Sequence, residues 1–171
     1  MVAVDLEETM SMFVLAAALM TGCAGGGTAE ITGNVDGLSI TPSTMYWGGP
    51  FVIFIGRELE CNEFAWVTKV YDEGDEPPTD FDFTALQLTY NESDVVTGTY
   101  DLSGQAPVKA EVINVTGGAM TVFKASEGTL IVDEVAGEGD ASGEFNFTFD
   151  EDGALSGSFA VPWCTNLKSR T

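Results

Sequence analysis

The amino-acid sequence predicts an all-β protein: an antiparallel β-sandwich or barrel built as a single domain. Phe145, Phe147 and Phe149 alternate with Asn146 and Thr148, the period of two that places every second side chain on one face of a strand. Turn-forming dipeptides and tripeptides recur at fairly even spacing along the chain, as a sheet protein requires. Beyond its N-terminal segment the chain shows no apolar pattern at helical spacing longer than a turn or two.

The expected elements follow in order. A first strand covers residues 30–35 and ends at the turn Asp36-Gly37. After Gly48-Gly49-Pro50, the run Phe-Val-Ile-Phe-Ile opens a strand expected over 51–57, and a further strand is expected over 64–71. The segment Asp72 to Asp80 is the longest polar loop, and Pro77-Pro78 bars it from a strand interior. Phe81 and Phe83, then Leu86, Leu88 and Tyr90, alternate with polar neighbours. Strands are expected next over 98–102, 108–115, 120–124 and 129–135, separated by turn signals such as Ser103-Gly104, Gly117-Gly118 and Glu127-Gly128. The last hairpin is the clearest: 145–149, a turn at Asp150-Glu151-Asp152-Gly153, then 154–161.

Charge narrows the function classes. Of 171 residues, 27 are Asp or Glu and 6 are Lys or Arg, a formal net charge of -21. Phosphate contacts need lysine and arginine, so binding of nucleic acid through the general surface is excluded. The chain has no histidine, which removes histidine bases and histidine zinc ligands. Yet 44% of the residues are hydrophobic, too many for an acidic disordered tail. There is no Gly-x-Ser-x-Gly and no Ser-x-x-Lys. With so many carboxylates, a close acidic pair arises by chance and does not indicate glycoside hydrolysis. The expectation is a protein that is not an enzyme.

Residues 12–20, Met-Phe-Val-Leu-Ala-Ala-Ala-Leu-Met, are too few to span a bilayer and have the length of a signal-peptide core. They lead through Thr21-Gly22 into Cys23 and then Ala24-Gly25-Gly26-Gly27. This stretch resembles the lipobox of bacterial lipoproteins. The resemblance implies cleavage before Cys23, lipidation of that cysteine, and attachment to the cell envelope by acyl chains. Ala24 after the cysteine points to the outer membrane, with the domain facing the periplasm or the exterior. The n-region departs from the pattern: it holds Asp5, Glu7 and Glu8 and no basic residue. A start at Met10 or Met12, or a basic segment upstream, would restore it. The organisation implied is a signal peptide over 1–22, a lipidated cysteine and Gly-rich tether over 23–28, and a β domain over 29–171. If Cys23 carries lipid, Cys61 and Cys164 remain as a pair for a disulfide in an oxidising compartment. The alternative is two reduced, buried thiols. The stretch from Gly157 to Cys164 is also similar to the end of the last strand in uncharacterised β-sandwich lipoproteins, a likeness that brings no activity with it.

Two groups of side chains are candidates for binding. Tyr46 and Trp47 sit beside Gly48-Gly49-Pro50, a loop-like setting in which a ring is exposed for sugar stacking. Asp72, Asp75, Asp80 and Asp82 offer oxygen ligands of the kind calcium takes. Asp150 and Asp152 before Gly153 do not form an EF-hand, since that register puts Thr148 first and Phe159 twelfth. Trp163 beside Cys164 reads as core packing. The leading expectation is a lipid-anchored structural or interaction module of the cell envelope, with a protein or glycan partner. A carbohydrate-binding module stabilised by calcium is the alternative.

Overall fold

The computed structural model describes residues 27–63, 80–91, 94–103 and 107–167. Cys23 and the signal-like segment, the strand expected over 64–71, and Asp72 and Asp75 lie outside the described residues. The described residues form ten strands and two single 3-10 turns. The strands are β1 (Thr28–Val35), β2 (Thr44–Gly48), β3 (Phe51–Ile55), β4 (Phe83–Tyr90) and β5 (Gly98–Asp101), followed by β6 (Val108–Thr116), β7 (Ala119–Lys124), β8 (Glu127–Val135), β9 (Asp140–Thr148) and β10 (Gly153–Pro162). They make two five-stranded sheets, ordered β1-β10-β9-β8-β5 and β2-β3-β4-β6-β7, with antiparallel pairing throughout. Neither sheet closes on itself, so the architecture is a β-sandwich and not a barrel.

Local chemistry accounts for the turns. Asp36 and Gly37 have φ of 49° and 75°, and Gly117 and Gly118 have 59° and 79°. Two successive positive φ values define the type I′ turn, whose twist matches that of the flanking strands. Val35 and Leu38 accordingly exchange backbone hydrogen bonds of 3.0 and 2.8 Å across the first turn. Gly117-Gly118 joins β6 to β7, with Thr116 paired to Ala119.

The core lies between the two sheets. Met45, Trp47, Val52, Phe54, Leu86, Leu88 and Val112 of one sheet face Leu130, Val132, Phe145, Phe147, Leu155, Phe159 and Val161 of the other. Phe54 is fully buried, its ring centroid 6.1 Å from that of Phe145 and 5.6 Å from that of Phe159. The rings of β9 and β10 find space over glycines of the neighbouring strand: Phe145 pairs in register with Gly157, and Phe159 with Gly143. A Cβ on either glycine would come within 2.9 Å of the tip of the opposing ring. The outer face of this sheet is lined by small polar side chains, such as Thr32, whose hydroxyl meets that of Ser156 at 2.9 Å.

The other sheet is buried on both faces at its β2–β3 end. Tyr46, Ile53 and Ile55 point away from the inter-sheet core and form a second apolar cluster with Leu59, Cys164 and Leu167. Cys61 and Cys164 are disulfide-bonded, with Cα atoms 5.5 Å apart and a separation of 103 positions in sequence. The bond joins the 3-10 turn Cys61–Glu63 to the residues that follow β10. Thr44 holds the same cap in place: its hydroxyl accepts the Leu59 N–H at 2.8 Å.

Removing a fully buried ring from the centre of this packing is expected to be costly. Phe54→Ala should lower the free energy of unfolding by about 3–5 kcal/mol, read from chemical denaturation. A loss below about 1 kcal/mol would mean that the ring is not the keystone its burial indicates.

Candidate functional site

Four chain segments that are distant in sequence meet at one end of the sandwich. The β2–β3 turn, Gly48-Gly49-Pro50, bonds to the end of β4 and to the β4–β5 connection: Pro50 C=O accepts the Tyr90 N–H at 2.8 Å, and Gly49 C=O accepts the Val95 N–H at 3.0 Å. The β8–β9 turn closes through the Ala136 N–H to Asp140 C=O and the Gly139 N–H to Ala136 C=O, at 3.0 and 2.8 Å. The fourth segment is the end of β10. There Trp163 leaves its own sheet and makes an isolated parallel bridge to Trp47 of the other, with the Cys164 N–H donating to Trp47 C=O at 2.7 Å.

These segments enclose an open cleft of about 570 Å³. Its aromatic wall is Trp47 and Trp163, whose ring centroids are 4.4 Å apart in an edge-to-face arrangement with 70° between planes. Val95 and Val135 add aliphatic surface, while Gly49 and Gly137 bring backbone to the opening. Asp94 and Glu138, both exposed, place carboxylates at the rim, and among the described residues no lysine or arginine lines the cleft. Val96, which follows Val95 in the chain, is 51% exposed, an unusual setting for a large apolar side chain in this molecule.

Each indole has a distinct structural job. The Trp47 Nε1–H donates to Gly139 C=O at 2.9 Å, fastening the β8–β9 turn to β2 across the mouth of the sandwich. Trp163 is half-buried and packs against the core while facing the cleft. The expectation of core packing for Trp163 therefore holds, and the residue gains a surface role that its position beside Cys164 did not announce.

Tyr46 and Trp47 are not in a loop, which corrects the setting expected for them. They are consecutive residues of β2, 6% and 2% exposed. Because neighbouring strand residues point to opposite faces, the two rings cannot share one surface. Trp47 faces the inter-sheet core and the cleft; Tyr46 faces the disulfide cluster. Burial, and then the nearby Glu60 carboxylate, hold the Tyr46 phenol above its ordinary pKa.

The acidic candidates divide in the same way. Asp80 and Asp82 are both exposed, and the Asp82 Oδ1 accepts the Gly117 N–H at 2.7 Å, capping the β6–β7 turn. Among the described residues there is no group of three or more His, Cys, Asp and Glu side chains placed to hold a metal ion. The other two members of the candidate set, Asp72 and Asp75, lie outside those residues. Asp94, Val95, Val135, Glu138 and Trp163 were not singled out for binding by sequence reasoning. Only the Trp163-Cys164 dipeptide carried a signal, and it pointed to packing.

Comparison of the chain with protein-family models, with curated proteins and with solved structures finds no match.

The role of Asp82 is separable by substitution. Asp82→Asn keeps an acceptor for Gly117 and should leave stability nearly unchanged, whereas Asp82→Ala should cost about 1 kcal/mol. Thermal melts with and without EDTA complete the test. A calcium ligand would respond to both substitutions, and the wild-type Tm would fall on chelation.

Proposed function

We propose that this protein is a lipoprotein of the bacterial cell envelope, anchored by a lipidated Cys23, whose β-sandwich is a non-enzymatic binding module working through the Trp47–Trp163 cleft. The cleft is the observation that carries the binding role. It combines two indole rings, two valines and two rim carboxylates in a concave volume of about 570 Å³, within the size range of small-molecule sites. Its groups offer contact area, hydrogen-bond acceptance and negative charge, which are the means of recognition. The disulfide supports residence in an oxidising compartment, where such bonds persist. The lipobox-like segment supports the anchor, and Ala24 after Cys23 is what favours the outer membrane in this reading. An acidic surface does not draw a protein to anionic lipid, so a covalent lipid is the means of attachment that fits this composition.

A carbohydrate ligand is the second reading. The half-buried Trp163 in the cleft favours it, since indole faces stack on sugar rings.

The anchor and the cleft are tested separately. Mass spectrometry of the membrane fraction should find an N-terminus at Cys23 carrying acyl chains, and Cys23→Ala should release the protein into the soluble fraction. A Cys23→Ala protein that still sediments with membranes would overturn the anchor. Trp163→Ala should abolish binding of any ligand found by glycan array or small-molecule screening, while the disulfide-linked fold persists. Retained binding would place the site elsewhere.

A further inference from the structure

We infer that the Trp47–Trp163 cleft is selective for a small organic cation, of the alkylammonium class. The inference rests on the reading of the cleft as the binding site and names its ligand chemistry. Three observations lead to it.

The first is hydrogen-bonding capacity. Ionised carboxylates accept hydrogen bonds and donate none, so a rim edged by Asp94 and Glu138 suits a ligand that donates better than one that accepts. The indole N–H of Trp47 is already spent on Gly139 C=O, at 2.9 Å, so it is not a donor to the ligand. An ammonium group brings up to three donors and no acceptor, which matches an acceptor-bearing rim.

The second is charge. Among the described residues no lysine or arginine lines the cleft, and the chain as a whole carries a formal net charge of -21. Among the described cations, Arg57 lies over the Phe81 ring at 4.0 Å, while Lys109 and Lys124 belong to β6 and β7 at the far edge of the sheet that holds Trp47. The summed field raises the local concentration of cations at the mouth and speeds their capture. An anionic ligand would meet both rim carboxylates and the net charge. A neutral sugar can donate hydroxyls to the rim carboxylates but gains nothing from the net charge.

The third is the wall. A cation over an indole face is attracted by the ring quadrupole, and tryptophan is the strongest of the aromatic residues in this role; the half-buried Trp163, backed by the buried Trp47, is the ring within a ligand's reach. Val95 and Val135 then provide apolar surface for the alkyl part of the ligand. The combination suits an ion with a charged head and a short hydrocarbon body.

The test uses ¹⁵N-labelled protein and follows the indole N–H resonances of Trp47 and Trp163. The probes are butylammonium, 1-butanol as its neutral counterpart, and cellobiose as a neutral sugar. Butylammonium should shift the Trp163 resonance saturably, and 1-butanol and cellobiose should not. The double variant Asp94→Asn, Glu138→Gln should weaken butylammonium binding about tenfold or more, and so should raising the salt from low to physiological concentration. Both substitutions fall on exposed rim positions, and an unchanged ligand-free indole spectrum confirms that the variant is folded. Equal shifts with 1-butanol, or a double variant that binds as wild type, would overturn the cationic ligand and leave the cleft standing as a site. Shifts with cellobiose alone would transfer the site to carbohydrate. If no probe moves either resonance, the cleft reading fails together with the inference.

Discussion

The structure depends on one crossing. At the end of β10 the chain leaves the sheet in which it pairs with β1 and β9, and its next two residues attach to the edge strand of the opposite sheet. The Cys164 N–H to Trp47 C=O bond, at 2.7 Å, makes this attachment, and the disulfide to Cys61 holds it. Two sheets of a sandwich are otherwise held together mainly by side-chain packing, which is strong in sum but non-directional. Here a backbone bond and a covalent bond fix their relative position at one corner. Cross-linking positions 103 apart removes conformational freedom from the unfolded chain, an effect worth about 4–5 kcal/mol in the chain-entropy account.

The crossing also builds the cleft. Because Trp163 is drawn across to β2, its ring lies against Trp47, and the two indoles wall the open end of the sandwich. Trp47 then reaches the β8–β9 turn through its indole N–H, so the rim carrying Glu138 is tied to the same strand that receives the crossing. Asp94 and Val95 are brought to the opposite side by the Gly49–Val95 hydrogen bond. Structural bonds and cleft-lining groups are thus carried by the same few residues, which couples the stability of the corner to the shape of the cleft.

Much of the fold is legible in the sequence, for a physical reason that also explains the exceptions. β9 and β10 have one buried face and one solvated face, so Phe145, Phe147 and Phe149 alternate visibly with polar residues. Asp36-Gly37 and Gly117-Gly118 announce their turns because few other residue pairs adopt two positive φ values in succession. β2 is different. All five of its residues, Thr44–Gly48, are buried, with the inter-sheet core on one side and the disulfide cluster on the other. A strand buried on both faces loses the alternation that identifies strands, and the following Gly48-Gly49-Pro50 then makes it look like a loop. The cleft was hidden for a further reason. Trp47, Asp94, Glu138 and Trp163 come from four segments, and their meeting is a property of the pairing order. No local spacing encodes it.

The central claim is that the disulfide-pinned crossing of β10 holds the Trp47–Trp163 corner in place. Native-state hydrogen exchange of the Trp47 indole N–H and the Cys164 amide, with the disulfide intact and after its reduction, measures this directly. The account predicts that reduction accelerates exchange at both groups by at least an order of magnitude while the amides of β9 keep their protection. Unchanged exchange at Trp47 and Cys164 in the reduced, folded protein would contradict it.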